Sequence, residues 1–172
     1  MTEPYPEHRP NVGVVLFNAE GFVWFGKRFG AEGPWCWQFP QGGVDEDETL
    51  EQASLRELHE ETGITSDLVA PLGMTEGWLA YDFPPEVLAQ FGKNRWKGQK
   101  QRWFAYRYLG TDEDFNLTAV PPREFSKFRW VALSETPALV ISWKRQVYAR
   151  VVEAFRPFSV TRTSPAPSKR KG

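Results

Sequence analysis

Glu57, Glu60 and Glu61 stand at i, i+3 and i+4 in a stretch that reads Gly42-x5-Glu48-x7-Arg56-Glu57-Leu58-His59-Glu60-Glu61-Thr62-Gly63-Ile64. On a helix, that spacing sends three carboxylates out from one face. Thr49 followed by Gln52 has capping-box spacing and predicts a helix that starts at Leu50. Gly63 supplies the left-handed residue that ends it. Leu55 and Leu58 turn toward the other side and would fix the helix to a core. Carboxylates this close repel one another. Glu60 and Glu61 also fall in the last turn, where the helix dipole disfavours negative charge by ~0.3–1 kcal/mol each. Stability gives no reason for such a grouping, whereas a hard divalent cation with oxygen ligands does. A solvated acidic face is the ordinary explanation of a Glu-Glu pair on a helix; the spaced Gly, Glu, Arg and Gly residues weigh against it here.

The same pattern resembles the Nudix box at every defined position. The resemblance implies a Mg²⁺-dependent hydrolase of a nucleoside diphosphate linked to another group. Further blocks narrow it: Arg9-Pro10-Asn11-Val12-Gly13, Trp37-Gln38-Phe39-Pro40-Gln41-Gly42-Gly43, Gly98-Gln99-Lys100-Gln101-Arg102-Trp103-Phe104, Glu124-Phe125 with Arg129-Trp130-Val131, and Ser142-Trp143-Lys144-Arg145. Together they look like the bacterial RNA pyrophosphohydrolases, also described as dinucleoside polyphosphate hydrolases, over residues 9 to about 155.

That likeness implies an α/β fold, the Nudix α/β/α sandwich with a mixed sheet between helices. It implies that Glu57, Glu60, Glu61 and Glu124 hold two or more Mg²⁺ ions, with Mn²⁺ as a substitute. Gly42 and Gly43 would let the backbone turn sharply and a carbonyl approach the metal, and Arg56 would orient the acids, with Glu48 as its partner. The general base stays open among Glu57, Glu60, Glu61 and Glu124, because carboxylates this close cannot be told apart by spacing. Arg28 and Trp143 are the implied sandwich for a nucleobase, with Trp where better-known relatives lead one to expect Phe; a core position under the last helix is the other reading of Trp143. Arg9, Gln41, Tyr81, Gln99, Lys100 and Lys144 are the candidate phosphate or base contacts.

The substrate implied is 5′-triphosphorylated RNA, cut to a 5′-monophosphate with release of pyrophosphate, a step that would initiate mRNA decay. Dinucleoside polyphosphates such as diadenosine tetraphosphate are the alternative. An inactive Nudix module that binds RNA or protein is a third reading. The intact set Glu48, Arg56, Glu57, Glu60 and Glu61 argues against it, since a pure binder has no use for the repelling acids. A protein activator would be compatible with this family, and the sequence does not define the oligomeric state.

Composition sets the remaining bounds. The 172 residues suit one domain, taken as 1–158, followed by a Ser/Thr/Pro/Lys/Arg-rich basic tail over 159–172 that lacks periodicity and is expected to be disordered. No apolar run approaches the ~18 residues of a membrane span, and the N-terminus has no apolar signal core. Cys36 is the only cysteine, which excludes an intrachain disulfide and fits a reducing, cytoplasmic setting with no membrane partner. Net charge is −1, so charge alone does not mark a nucleic-acid binder. The charges are nevertheless unevenly placed: acids crowd into 45–61, while Lys93, Arg95, Lys97, Lys100 and Arg102 fall together and Lys27, Arg28, Lys144 and Arg145 form smaller pairs.

The elements that must position these residues follow from pattern. The apolar run Asn11–Phe17 reads as a strand buried on both faces, turning at Asn18–Gly21 into a second strand over Phe22–Phe29. Gly30–Trp37 reads as a loop with two Trp at risk of exposure. Strands are expected near Leu68–Leu72, Thr75–Phe83, Gln101–Leu109 and Lys127–Leu133, with one helical turn at Glu86–Phe91. Tyr5–Pro10 should be extended, because its prolines exclude helix. Val147, Val151, Ala154 and Phe155 give Lys144–Phe155 the pattern of a closing amphipathic helix, ended by Pro157.

Overall fold

Two long strands form the centre. β1 (His8–Phe17) and β7 (Gly98–Tyr108) run parallel, in register from His8 opposite Gly98 to Phe17 opposite Arg107. A parallel pair must be covered on both faces, which explains why β1 is a continuous apolar run rather than an alternating one. The computed structural model describes residues 3–90 and 96–160; Lys93, Arg95 and the tail from 161 onward lie outside them.

The remaining strands dock on this pair in halves. Along the free edge of β1, β2 (Val23–Arg28) meets one end and β4 (Gln41–Gly43) the other, both antiparallel. Along the far edge of β7, β5 (Val69–Met74) and β6 (Leu79–Asp82) likewise take one end each. β2 also carries β3 (Trp37–Gln38) and β8 (Phe125–Val131), completing an eight-stranded mixed sheet.

Strand alternation then sorts the side chains into two cores. Val12, Val14, Leu16, Trp24, Phe104 and Tyr106 face α1 (Leu50–Thr62), which returns Ala53 and Leu58. Val15, Phe25, Phe39 and Trp103 face α3 (Arg145–Phe155), which returns Tyr148, Val151 and Phe155. Each such fully buried apolar side chain contributes about 1.5–3 kcal/mol. A short α2 (Pro85–Gln90) follows β6, and helices therefore cover both faces of the mixed sheet.

Helix α1 forms as its sequence specifies. The Thr49 hydroxyl accepts from the Gln52 backbone N–H, and the Gln52 side-chain amide oxygen accepts from the Thr49 backbone N–H. Gly63 ends the helix at φ 82°, with its N–H donated to the His59 carbonyl. Three local expectations change. Tyr5 takes a positive φ of 52° and His8 donates back to its carbonyl, so the chain turns there and is extended only from His8. His8, given no role from sequence, is buried and bonded to Asp82 at 2.6 Å. The strand expected over 75–83 shortens to β6, because Thr75 is bonded to Trp103 through both its N–H and its hydroxyl and leaves the ladder. Among the described residues no helix is long and apolar enough to cross a membrane.

Candidate active site

The acidic side of the site lies where α1 crosses β4. Gly42 turns its missing side chain toward the helix: a Cβ there would come within 2.0–2.2 Å of the Glu57 carboxylate. Only glycine leaves room for that carboxylate against the strand. One residue earlier, the Gln41 backbone N–H donates to Glu61 (3.2 Å). Glu57 and Glu61 are both 8% exposed. Burial raises both carboxyls above the usual range; Arg56 opposes the shift at Glu57, whereas the charges of Glu124 and Glu57 add to it at Glu61.

Arg56 organises this side. Its guanidinium donates to both Glu48 oxygens (2.7 and 2.9 Å), to Glu57 (2.9 Å) and to the Gly43 carbonyl (2.8 Å). It thereby ties the helix, the capping loop and β4 into one unit, and its pairing holds Glu48 below the usual carboxylate range. Glu60 reaches the same guanidinium only at 3.4 Å and is more open to water. The three acids are thus unevenly disposed along one face of the helix. Relative to Glu57, residue 61 is displaced about +40° around the axis and residue 60 about −60°, so those two diverge by about 100°. Among the described residues no group of three His, Cys, Asp or Glu side chains is gathered tightly enough to hold an ion as it stands.

The facing side is made of amides and cations. Gln41 is the seam, since its side-chain oxygen accepts from Gln101 and from the Lys144 ammonium, both at 3.3 Å. Lys144 also donates to Gln38 (3.2 Å) and lies 5.9 Å from the centre of the Tyr81 ring. Burial and the charge of Arg28 lower the Lys144 ammonium to about 8, against the pull of Glu124 and Glu61. Gln101 also donates to Asn11 (2.7 Å), and the Tyr81 hydroxyl donates to Gln99 at 2.5 Å. Tyr148, buried under α3, accepts from the Phe39 N–H (3.0 Å) and anchors the lead into β4.

Most residues singled out in the sequence meet here. Arg9 lies against β4, where a Cβ on Gly43 would come 2.7 Å from its guanidinium. Arg28 is close enough for its charge to act on Lys144 and Tyr148. Trp143 is half-buried, packed on the core under α3, a position between the two readings of it. Lys100 differs. It is 1% exposed, covered by the N-terminal segment, and donates to Glu3 (2.7 Å) and to the Pro4 carbonyl (2.8 Å). Its strand parity puts it on the face away from Gln99 and Gln101. Asn11, Gln38 and Gln101 stand in the blocks that carry the resemblance but, like Tyr148, were given no role. Their signal was available, because a buried polar side chain within an apolar strand needs a partner.

An antiparallel glycine-bearing strand laid on a Glu-rich helix, in a mixed sheet covered on both faces, defines a class. The NUDIX domain model matches residues 7–151, and the chain belongs to the Nudix hydrolase family. It is 56% identical to the RNA pyrophosphohydrolase of Caulobacter vibrioides over 161 residues, 92% of each chain. It is 45% identical to that of Cereibacter sphaeroides, over 91% of this chain and 94% of the relative. In fold it is similar to a C. elegans Ap4A hydrolase (TM-score 0.61, 19% identity, 87% and 98% of the chains). The E. coli dihydroneopterin triphosphate pyrophosphohydrolase is also similar (TM-score 0.62, 19% identity, 84% and 95%).

A divalent cation, general in this family, suits the donor set. The donors are all hard oxygens, and the two buried carboxylates carry a charge that their burial disfavours.

Proposed function

We propose that this chain hydrolyses the 5′-triphosphate end of RNA to a 5′-monophosphate and releases pyrophosphate. The observation that carries the reading is Gln41, which touches the acidic side through its backbone and the cationic side through its amide. A polyphosphate laid across it has its charge met from both directions. The high-identity RNA pyrophosphohydrolase relatives support the choice of RNA.

The oxygen ligands we assign to the cation, Mg²⁺ by preference, are Glu57, Glu60, Glu61, Glu124 and the Gly42 carbonyl. When bound, the ion neutralises phosphate charge and acidifies a coordinated water. Arg56 keeps Glu57 in place against Gly42 and holds Glu60 within reach. Lys144, Arg28 and Arg9 balance the charge of the triphosphate. Gln38, Gln41, Gln99 and Gln101 offer amides that can turn either a donor or an acceptor to the substrate. Arg28 and Trp143 are assigned to a nucleobase, since both flank Lys144.

The test is pyrophosphate release from short 5′-triphosphorylated RNA with Mg²⁺, without it, and with diadenosine tetraphosphate at matched concentration. Mg²⁺-dependent release, faster on RNA, is expected. Faster turnover of the dinucleotide would replace the substrate, and the absence of product from either would leave a binding module.

A further inference from the structure

The loop between β2 and β3 leaves two large rings in water: Phe29 is 56% exposed and Trp35 is 55% exposed. The loop itself is closed firmly. Arg28 donates to the Cys36 carbonyl (2.9 Å), Ala31 donates to the Arg28 carbonyl (3.1 Å), and the Lys27 ammonium donates to Ala31 (2.7 Å). Exposed rings on a well-tied loop gain nothing for folding. Phe29 has cationic company, and so does Trp37, two residues past Trp35. The Arg123 guanidinium lies over the Phe29 ring at 5.0 Å, and Arg129 lies over neighbouring Trp37 at 4.2 Å. Lys127 is exposed and sits directly opposite Lys27 across the β2–β8 ladder. Like charges facing each other in a sheet are destabilising; Lys27 is engaged by the Ala31 carbonyl, while Lys127 stands in solvent. The acids nearby are few: Glu32 in the loop, and Glu135 in the depression beside Arg129.

The patch is continuous with the site. Phe29 follows Arg28 directly, and its N–H donates to the carbonyl of Glu124 (2.8 Å). It begins where the assigned nucleobase contact and the fourth carboxylate end. Rings interleaved with guanidinium and ammonium groups are what unstructured single-stranded nucleic acid needs, since bases stack and phosphates follow the charge. Trp and Arg also anchor protein partners, but the excess of positive charge favours a polyanion.

We propose that this surface takes the single-stranded RNA beyond its first nucleotides, with bases on Phe29 and Trp35 and phosphates along Arg123, Lys127 and Arg129. The proposal rests on RNA being the substrate. It assigns the loop a part in choosing long single strands over free nucleotides, separate from the chemistry at Gln41.

The test compares the native protein with F29A/W35A, W35F and K127Q/R129Q. The first measurement is kcat/KM on triphosphorylated RNA of two and of about twelve nucleotides. The second is the affinity for a 5′-hydroxyl RNA of the longer length at several salt concentrations. Native protein is expected to prefer the longer substrate by about tenfold or more, as stacking on exposed rings would give. F29A/W35A should lose that preference while its rate on the dinucleotide stays unchanged, and W35F should retain most of it. K127Q/R129Q should flatten the salt dependence of affinity by ~0.7 in log–log slope for each phosphate contact removed. Unchanged length preference and unchanged RNA affinity in both multiple variants would overturn the proposal, even if they lost a protein partner instead. If native protein hydrolyses neither RNA, the assigned function falls, but the affinity for 5′-hydroxyl RNA still decides the surface.

Discussion

The two sides of the site are built in opposite ways. The acidic side comes from one helix and the strand it crosses, with Arg56 bonded to Glu48, Glu57 and Gly43. The cationic side draws one or two residues each from β1, β2, β3, β4, β6, β7 and the turn before α3. Helical spacing and one guanidinium order the acids, while the amides are ordered only by strand register and by burial in a polar network. Damage should therefore differ in kind. On the acidic side it should remove the chemistry, and on the other it should weaken the grip on substrate.

The sharpest break in that comparison is Glu60→Gln or Glu61→Gln. Either is expected to lower kcat by roughly 10³-fold or more in Mg²⁺, since an ion's contribution of several kcal/mol is at stake. A near-normal kcat in one of the two, with the fold intact, takes that carboxylate out of the site. Because Glu60 begins turned toward Arg56, matched losses in both would mean that the ion draws it in.

Next comes Gly42→Ala beside Gly43→Ala. The first added methyl meets the buried Glu57 carboxylate at 2.0 Å; the second meets the free end of Arg9 at 2.7 Å. The first should cost ~1–3 kcal/mol of stability by overpacking and displace Glu57, lowering kcat by about a hundredfold. The second should stay within about threefold, because a flexible guanidinium can move. Thermal melts and rates on both proteins check this, and equal losses would erase the distinction.

On the cationic side, Lys144→Met should lower kcat/KM on triphosphorylated RNA by ~10- to 100-fold, the value of a charged hydrogen bond. The ammonium is lowered to about 8, so native kcat/KM should fall as pH rises through about 8, a limb that the variant lacks. Stability carries the opposite sign. A lysine with a depressed folded value burdens the fold below about 8, and that burden fades as pH rises toward its ordinary 10.5. The variant should thus be no less stable at pH 7. A pH–rate profile on both proteins decides it, and an identical fall above pH 8 would assign the limb to another group.

The smallest expected change is Trp143→Ala, roughly tenfold in kcat/KM on RNA from lost stacking. Its half-buried ring adds a stability loss below the ~3–5 kcal/mol of a fully buried Trp. If RNA and a small nucleotide lose rate equally and the melt drops by the full amount, Trp143 belongs to the core and not to the site.

The sequence by itself determined the helix and the grouping of acids on it. The capping box at Thr49, the stop at Gly63 and the paired acids are local features, readable because helix geometry turns spacing into direction. The double-sided burial of β1 was legible for the same reason: a run apolar at every residue has no solvent face. Tertiary structure decided the rest. It set Glu61 against the Gln41 backbone N–H and showed that the Gly42 gap is filled by Glu57. It joined Asn11, Gln101, Gln41 and Lys144 into one network, although Asn11 and Lys144 lie 133 positions apart in the chain. It also buried Lys100 beneath Glu3 and brought His8 onto Asp82. Those contacts follow from which strands pair and in what register, and register is a property of the closed sheet that no single segment carries.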